Sequence, residues 1–299
     1  YYALPGSPAF AAGTYYIYSI ADEDLVRKAR ISVLNQLTGV GQASSGIEDK
    51  PSQTREEKAA GKAATSLIGA GLSAEYGRFT LNGVSGKNYS LPLSTSFTLN
   101  DRIGLNVGVP LIYTEIGSAT AYGVGLSAGL PVKLLKQKED RGFSWQLTPS
   151  FGGTGTACKE LATGGVILNG GMTSLASYDF GKFAVSMGNH MSTYESTNAK
   201  FDGYKYETRF SQKVIKNGLK FDVPVSLRWV VDAYTVHNKV SGSDVMDHYM
   251  TYGVDLAYRV IGNDKKATSR LGFVSLGVKT DQGSGYRATN FQIGSGWSF

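Results

Sequence analysis

Two groupings in this chain have residue types able to do hydrolytic chemistry: Asp247-His248, and Asn189-His190 with Ser192. An Asp beside a His can polarise an attacking water. No second acid pair of the Asp-x-Asp kind accompanies it, however. Ser192 falls beside His190 on one face of the same strand, with no nucleophile motif around it. A lone inward-facing His more often fills space through a hydrogen bond. Phosphate-cradling and dinucleotide motifs are absent from the sequence. With a single Cys158 and His190, His237 and His248 far apart, the sequence implies neither a metal site nor a cofactor. The chain reads as no enzyme.

A second set of chemically capable residues shares one parity within alternating stretches. Arg78, Lys133, Lys205, Arg209, Lys213, Arg228, Arg259 and Lys279 supply the bases. Glu207, Asp222, Asp232 and Asp255 supply the acids. Extrapolated parity puts all of them inside a closed wall as pore-lining residues, with bases in excess. Such a bore leans cationic and favours anionic or acidic cargo. The plain alternative is that these charges pair with one another, or with the N-terminal segment, and only fill space. Both readings stand at this point.

The elements that must position these groups come from composition and period. The chain has 299 residues, 18% of them charged, with 38 Gly, 18 Tyr and 13 Phe. Soluble proteins carry about 25% charged residues, so this chain is lean in charge. The profile excludes a disordered chain, a disulfide-stapled miniprotein and a coiled coil. No stretch approaches the ~20 apolar residues of a spanning helix. The opening Tyr1-Tyr2-Ala3-Leu4-Pro5 shows no signal segment, as expected where one has been removed or where more chain precedes it.

Residues 1–72 read as a plug or gating segment with helices. Leu25, Ala29, Val33 and Leu37 recur every fourth residue behind Asp22, Glu23 and Asp24, which predicts a helix over Asp22–Leu37. Thr54-Arg55-Glu56-Glu57 reads as a capping box opening a second helix, to about Ile68. Position alone nominates Tyr15, Tyr16, Leu25, Arg27, Arg30, Val33 and Leu37 as plug or gating residues.

Residues 73–299 alternate with period two almost throughout. In Phe221–Val231, for example, odd positions are apolar or aromatic: Phe221, Val223, Val225, Leu227, Trp229 and Val231. About twelve strands are predicted, near 76–84, 89–99, 103–114, 121–135, 143–153, 164–176, 182–193, 203–214, 219–235, 249–261, 269–280 and 286–299. Asn100-Asp101-Arg102 and Lys216-Asn217-Gly218 look like short turns, and Gly153–Thr163 and His237–Asp247 like longer loops. Tyr113, Tyr122, Phe143, Trp145, Tyr204, Tyr206, Trp229, Tyr252 and Tyr258 sit near strand ends in phase with the apolar face, as interfacial girdles require. The chain closes on Phe291, Ile293, Trp297 and Phe299 at one parity. The fold class is all-β: a transmembrane antiparallel β-barrel with an N-terminal helical plug segment.

The order of parts resembles the FapF family, outer-membrane secretion channels of the functional-amyloid systems of pseudomonads. The stretches that carry the resemblance are Ala3-Leu4-Pro5-Gly6-Ser7-Pro8, Thr14-Tyr15-Tyr16-Ile17-Tyr18, the helix Asp22–Leu37, and Leu91-Pro92-Leu93-Ser94 through Asn100-Asp101-Arg102-Ile103-Gly104-Leu105. The resemblance implies a homotrimer in the bacterial outer membrane that passes unfolded amyloid subunits to the cell surface for biofilm. Its partners would be that secreted protein and the lipid bilayer, with no nucleic acid. Two alternatives stay open: an autotransporter translocator, and a substrate-specific uptake porin for anionic solutes.

Overall fold

The computed structural model describes residues 68–298 apart from 101, 118, 137–141, 159–162, 198, 202–203, 207–210, 227, 242–246 and 261–271. Both predicted helices, except for Ile68 itself, lie outside the described residues, as do all seven nominated plug residues. Fifteen strands follow in chain order. The first eight are β1 (Ile68–Leu81), β2 (Val84–Thr98), β3 (Gly104–Ile116), β4 (Ala119–Gly129), β5 (Val132–Leu135), β6 (Gly142–Cys158), β7 (Thr163–Asp179) and β8 (Ala184–Thr197). The rest are β9 (Ala199–Phe201), β10 (Tyr204–Tyr206), β11 (Ser211–Pro224), β12 (Trp229–Ser241), β13 (His248–Val260), β14 (Gly272–Gly283) and β15 (Tyr286–Ser298).

Every ladder is antiparallel. β1 pairs with β15 from Gly69↔Ser298 to Leu81↔Tyr286, and this seam closes the wall. β4 and β5 both pair with β6 and make one stave broken at Leu130-Pro131, so the closed barrel has 12 staves. Pro131 has no amide for the ladder, but its carbonyl still accepts from the Gly104 amide at 2.9 Å. β9 and β10 form a separate small hairpin. Closure leaves no free edge, which a strand wall in lipid requires.

The wall is polar inside and apolar outside. β11 shows it without a break: exposed and buried residues alternate from Ser211 to Asp222. Ile215, Leu219 and Phe221 are the exposed ones, whereas Lys216, Lys220 and Asp222 are buried. A water-soluble sheet would reverse that assignment. Leu126 at 62% and Phe151 at 70% exposure belong to the same outward band. Such a surface is stable only against hydrocarbon.

Two aromatic belts bound the band. Near the rim opposite the start of β1 and the end of β15, Tyr76, Tyr89, Tyr113 and Tyr122 make a continuous row across β1–β4, with ring centroids 5.0, 5.7 and 5.1 Å apart. Near the other rim, Trp229 packs on Tyr258 at 4.8 Å, and Phe180 packs between Tyr178 and Phe183. Tyr113 touches two of its neighbours, each pair contributing about 0.5–1.5 kcal/mol beyond burial. Tyr113→Leu should therefore cost about 1–3 kcal/mol in reversible urea unfolding from micelles. Tyr252→Leu, which lacks ring partners among the described residues, should cost less.

Three sequence expectations are corrected. Lys216-Asn217-Gly218 is no turn: it lies mid-strand in β11, where Asn217 faces both Asn189 and His237. The tight connection 225–228 lies instead inside the predicted strand 219–235. There Ser226 Oγ accepts from the Arg228 and Trp229 amides at 3.2 and 3.1 Å. This turn returns the chain in phase, so apolar parity runs from Phe221 to Val231 without betraying the reversal. The predicted long loops also shrink, because β6 runs to Cys158 and β12 to Ser241. Asn100 does cap its turn, its Oδ1 accepting from the Arg102 and Ile103 amides, each at 2.8 Å.

Candidate functional site

Barrel closure gathers the inward charges of β11–β15 and β1 into one stripe. Lys216, Lys220 and Asp222 come from β11, Asp232 from β12 and Asp255 from β13. Lys279 and Asp281 come from β14, and Glu75 from β1. The facing staves are different in kind. Their inward residues include Asn88, Ser90, Thr114, Gly125, Ser127 and Thr154, which are small and uncharged. The bore is therefore lopsided: charges crowd one wall, while the other is mostly neutral, with Lys133 and Asp179 toward its terminal rim.

Within the stripe, side chains lace neighbouring staves in two tiers. In the middle tier, Asp222 lies directly across from Asp232, and Asp232 across from Asp255. Lys220 Nζ sits between the first two, 3.0 Å from Asp222 Oδ1 and 3.8 Å from Asp232 Oδ2. Gln292 Nε2 donates to Asp255 Oδ1 across β14. Lys279 Nζ donates to Glu75 Oε2 at 3.0 Å, spanning β15 and so bridging the closing seam. In the second tier, Asn238 Nδ2 donates to Thr251 Oγ1 at 3.1 Å and Thr251 Oγ1 donates to Asp281 Oδ1 at 2.6 Å. Asn290 Nδ2 donates to Asp281 Oδ2 at 3.3 Å, and Asn88 Nδ2 to Asn290 Oδ1 at 3.4 Å. Seven strands, β11–β15, β1 and β2, are thus joined from inside.

The pore-lining residues read from the sequence divide into three groups. Asp222, Asp232 and Asp255 face the bore. Lys133 lies across from Gln146 at the start of the inward face near the terminal rim. Arg78, Lys213 and Arg228 do not line it. Arg78 is exposed on the outer wall and donates from Nε to Tyr76 OH at 2.8 Å. Lys213 holds an exposed position in β11. Arg228 sits in the 225–228 turn, with Nη1 donating to Tyr258 OH at 2.9 Å on the belt. Arg78 misleads because membrane strands run past the lipid band, so polar residues reappear on the outer face. Glu207 and Arg209 lie outside the described residues, as do the side chains of Lys205 and Arg259.

Sequence reasoning passed over Lys216, Lys220, Glu75 and Asp281. A turn assigned at Lys216-Asn217-Gly218 hid the first, Lys220 went unnoticed at the start of the predicted strand 219–235, and strand ends drawn too short hid the others. The signal was present: Lys216, Lys220 and Asp222 share the parity opposite Ile215, Leu219 and Phe221. The excess of bases expected from parity is not seen among the described residues of the stripe. The described stripe holds five carboxylates, Glu75, Asp222, Asp232, Asp255 and Asp281, against Lys216, Lys220 and Lys279. It gives anions no preference.

The histidine groupings do not assemble a reaction centre. His190 is buried in the wall, its Nδ1 2.8 Å from Thr173 Oγ1 on the neighbouring strand. Asp247 Oδ1 and His248 Nδ1 pair at 2.9 Å, but both side chains stand largely in solvent. The Asp247 carboxyl is held below its ordinary range by its own backbone amide, with the His248 charge adding to the effect. Among the described residues, no three metal-ligating side chains converge.

No family model matches the chain, and no curated protein matches it in sequence. Solved structures do resemble its fold. The translocator domain of the autotransporter NalP from Neisseria meningitidis is 14% identical, with a TM-score of 0.53 over 83% of this chain and 95% of that one. The beta domain of the Bordetella autotransporter BrkA is 11% identical, with a TM-score of 0.54 over 78% of this chain and 100% of that one. An outer membrane channel from Pseudomonas putida F1 is 12% identical, with a TM-score of 0.52 over 80% of this chain and 98% of that one. This is the outer-membrane barrel fold. With its lipid-facing wall, the chain has the fold of the transmembrane barrels of the bacterial outer membrane.

Proposed function

We propose that this barrel is a secretion channel whose bore is held shut by the segment ahead of β1, and that it passes an unfolded polypeptide. The observation that carries the reading is a mismatch between bore width and burial. Wall side chains fill a barrel of about 8 strands, while 16–18 strands leave an open aqueous channel. With 12 staves this barrel lies between those sizes, and the inward residues of β2–β8 are mostly small, which leaves room in the lumen for more than the wall's own side chains. Yet Lys216 and Asp222 are 0% exposed and Lys220 only 3%. An occupant resolves the mismatch, and residues 1–67 are the available chain.

A polypeptide cargo fits the same bore. Charges that pair along one wall leave few free ions to grip a passing chain, and the facing wall offers small neutral groups. An unfolded, glycine- and amide-rich subunit can slide through with few strong contacts. The resemblance to amyloid-secretion channels supports that class of cargo and assembly as a homotrimer. Releasing a plug held by many weak contacts needs only a few kcal/mol of differential binding by a partner.

Single-channel conductance in planar bilayers tests the reading. The full chain is compared with one beginning at Ile68; a later start would remove part of the β1–β15 seam. The full chain should be silent and the shortened chain should conduct steadily, with transient blocks when an unfolded glycine- and glutamine-rich polypeptide is added. Two silent proteins would mean that the wall fills its own bore. Two equally conducting ones would remove the plug. Steady current without polypeptide blocks would favour small-solute uptake.

A further inference from the structure

The outer wall carries a cation cluster that the channel reading does not use. Arg78 on β1 lies directly across from Lys87 on β2. Arg287 on β15 lies across from Thr80, one outward-facing step along β1 from Arg78. All three side chains are exposed and point away from the bore. The cluster therefore straddles the seam, three adjacent strands wide, toward the rim that holds the Asn82-Gly83 turn.

Like charges facing one another across a ladder destabilise it unless a counter-charge is supplied. The chain supplies little of it. Glu115 pairs with Lys87 at 3.4 Å, and it also accepts from Tyr113 OH at 2.9 Å. Arg78 is oriented by Tyr76 OH rather than by a carboxylate. Directly below the cluster run the Tyr76 and Tyr89 rings, 5.0 Å apart. Tyrosine belts sit at headgroup depth, so the guanidiniums lie where lipid phosphates lie. Two arginines and a lysine offer forked donors and a point charge suited to phosphate oxygens.

We propose that Arg78, Lys87 and Arg287 form a docking site for a phosphorylated lipid headgroup, which supplies the counter-charge missing at the seam. Lipid bound there bridges β15, β1 and β2 from outside, as Lys279–Glu75 bridges β14 and β1 from inside. The site has no part in the bore and stands whether or not residues 1–67 act as a plug.

The test uses the full chain in detergent, read by native mass spectrometry for retained lipid. The probes are bisphosphorylated lipid A, its dephosphorylated form, and inorganic phosphate as competitor. Wild type should retain the phosphorylated lipid roughly tenfold better than the dephosphorylated one. The triple variant Arg78→Ser, Lys87→Ser, Arg287→Ser should lose that preference. Lys213→Ser with Lys239→Ser, on strands away from the seam, should keep it. Heat-modifiable migration in SDS gels reports folding, and Arg78→Gln alone, expected to show a partial loss, serves if the triple variant does not fold. Equal retention of both lipids, an unchanged preference in the triple variant, or full displacement by millimolar inorganic phosphate would each overturn the proposal.

Discussion

Lys220→Met is expected to lower the stability of the folded barrel by about 3–5 kcal/mol, the usual cost of stripping one partner from a buried ion pair. The side chains of Lys220, Asp222 and Asp232 are only 4%, 1% and 1% exposed. The two carboxylates lie opposite each other on β11 and β12, and Asp255 follows on β13. Without the lysine, adjacent carboxylates face one another away from solvent. Urea unfolding from micelles, followed by tryptophan fluorescence, measures the loss. Adding Asp232→Asn should restore more than half of it, because one of the opposed charges is then gone. A cost under about 1 kcal/mol would show that water reaches this tier freely. It would also remove the burial on which the plugged bore rests. This variant therefore probes the wall and the function at once.

The wall was legible in the sequence because period two survives wherever one face meets lipid. The stave count, the seam-forming last strand and the outward aromatics all follow from parity. Parity failed where turn chemistry and strand chemistry use the same residues. Asn217-Gly218 has the composition of a hairpin turn, yet flanking β8 and β12 hold it in the ladder. Conversely, the Ser226 turn is short and in phase, so nothing in the alternation marks it. Two neighbouring strands were therefore misplaced while their number came out right. The stripe was half legible for a related reason. Parity says which side of a strand a residue takes, but not where along it the lipid band ends. Arg78 and Glu75 lie only three residues apart on β1 and serve opposite faces. Their opposite parity separates the two faces; the paired register adds that Arg78 stands above a tyrosine belt and that Glu75 meets Lys279 across the seam.

Gly277→Val should be nearly as damaging as loss of Lys220, at about 3–5 kcal/mol, although it removes no charge. The Asp255–Gln292 hydrogen bond runs from β13 to β15 directly over Gly277 on β14. A Cβ added at Gly277 would lie 1.6 Å from Asp255 Oδ1 and 2.8 Å from Gln292 Nε2. The larger side chain must break that bond, for about 1.5–3 kcal/mol, and also crowd the wall, for about 1–3 kcal/mol. Gly77 has the same design, with Asn88 and Asn290 meeting above it. Gly165 is the control: an added Cβ there meets nothing within 4 Å, and Gly165→Ala should stay within about 0.5 kcal/mol of wild type. A mild Gly277→Val would mean that the bond yields easily and that the wall can flex there. A severe one has a consequence for opening. Bonds that arch over Gly277 and Gly77 tie β13 to β15 and β15 to β2, and the Asn238–Thr251–Asp281 chain adds β12 and β14 to the same stiff arc. A wall so laced does not widen, so under the proposed plugged channel access must come from moving the plug. On that view current should appear in one step when residues 1–67 leave, without graded intermediate levels.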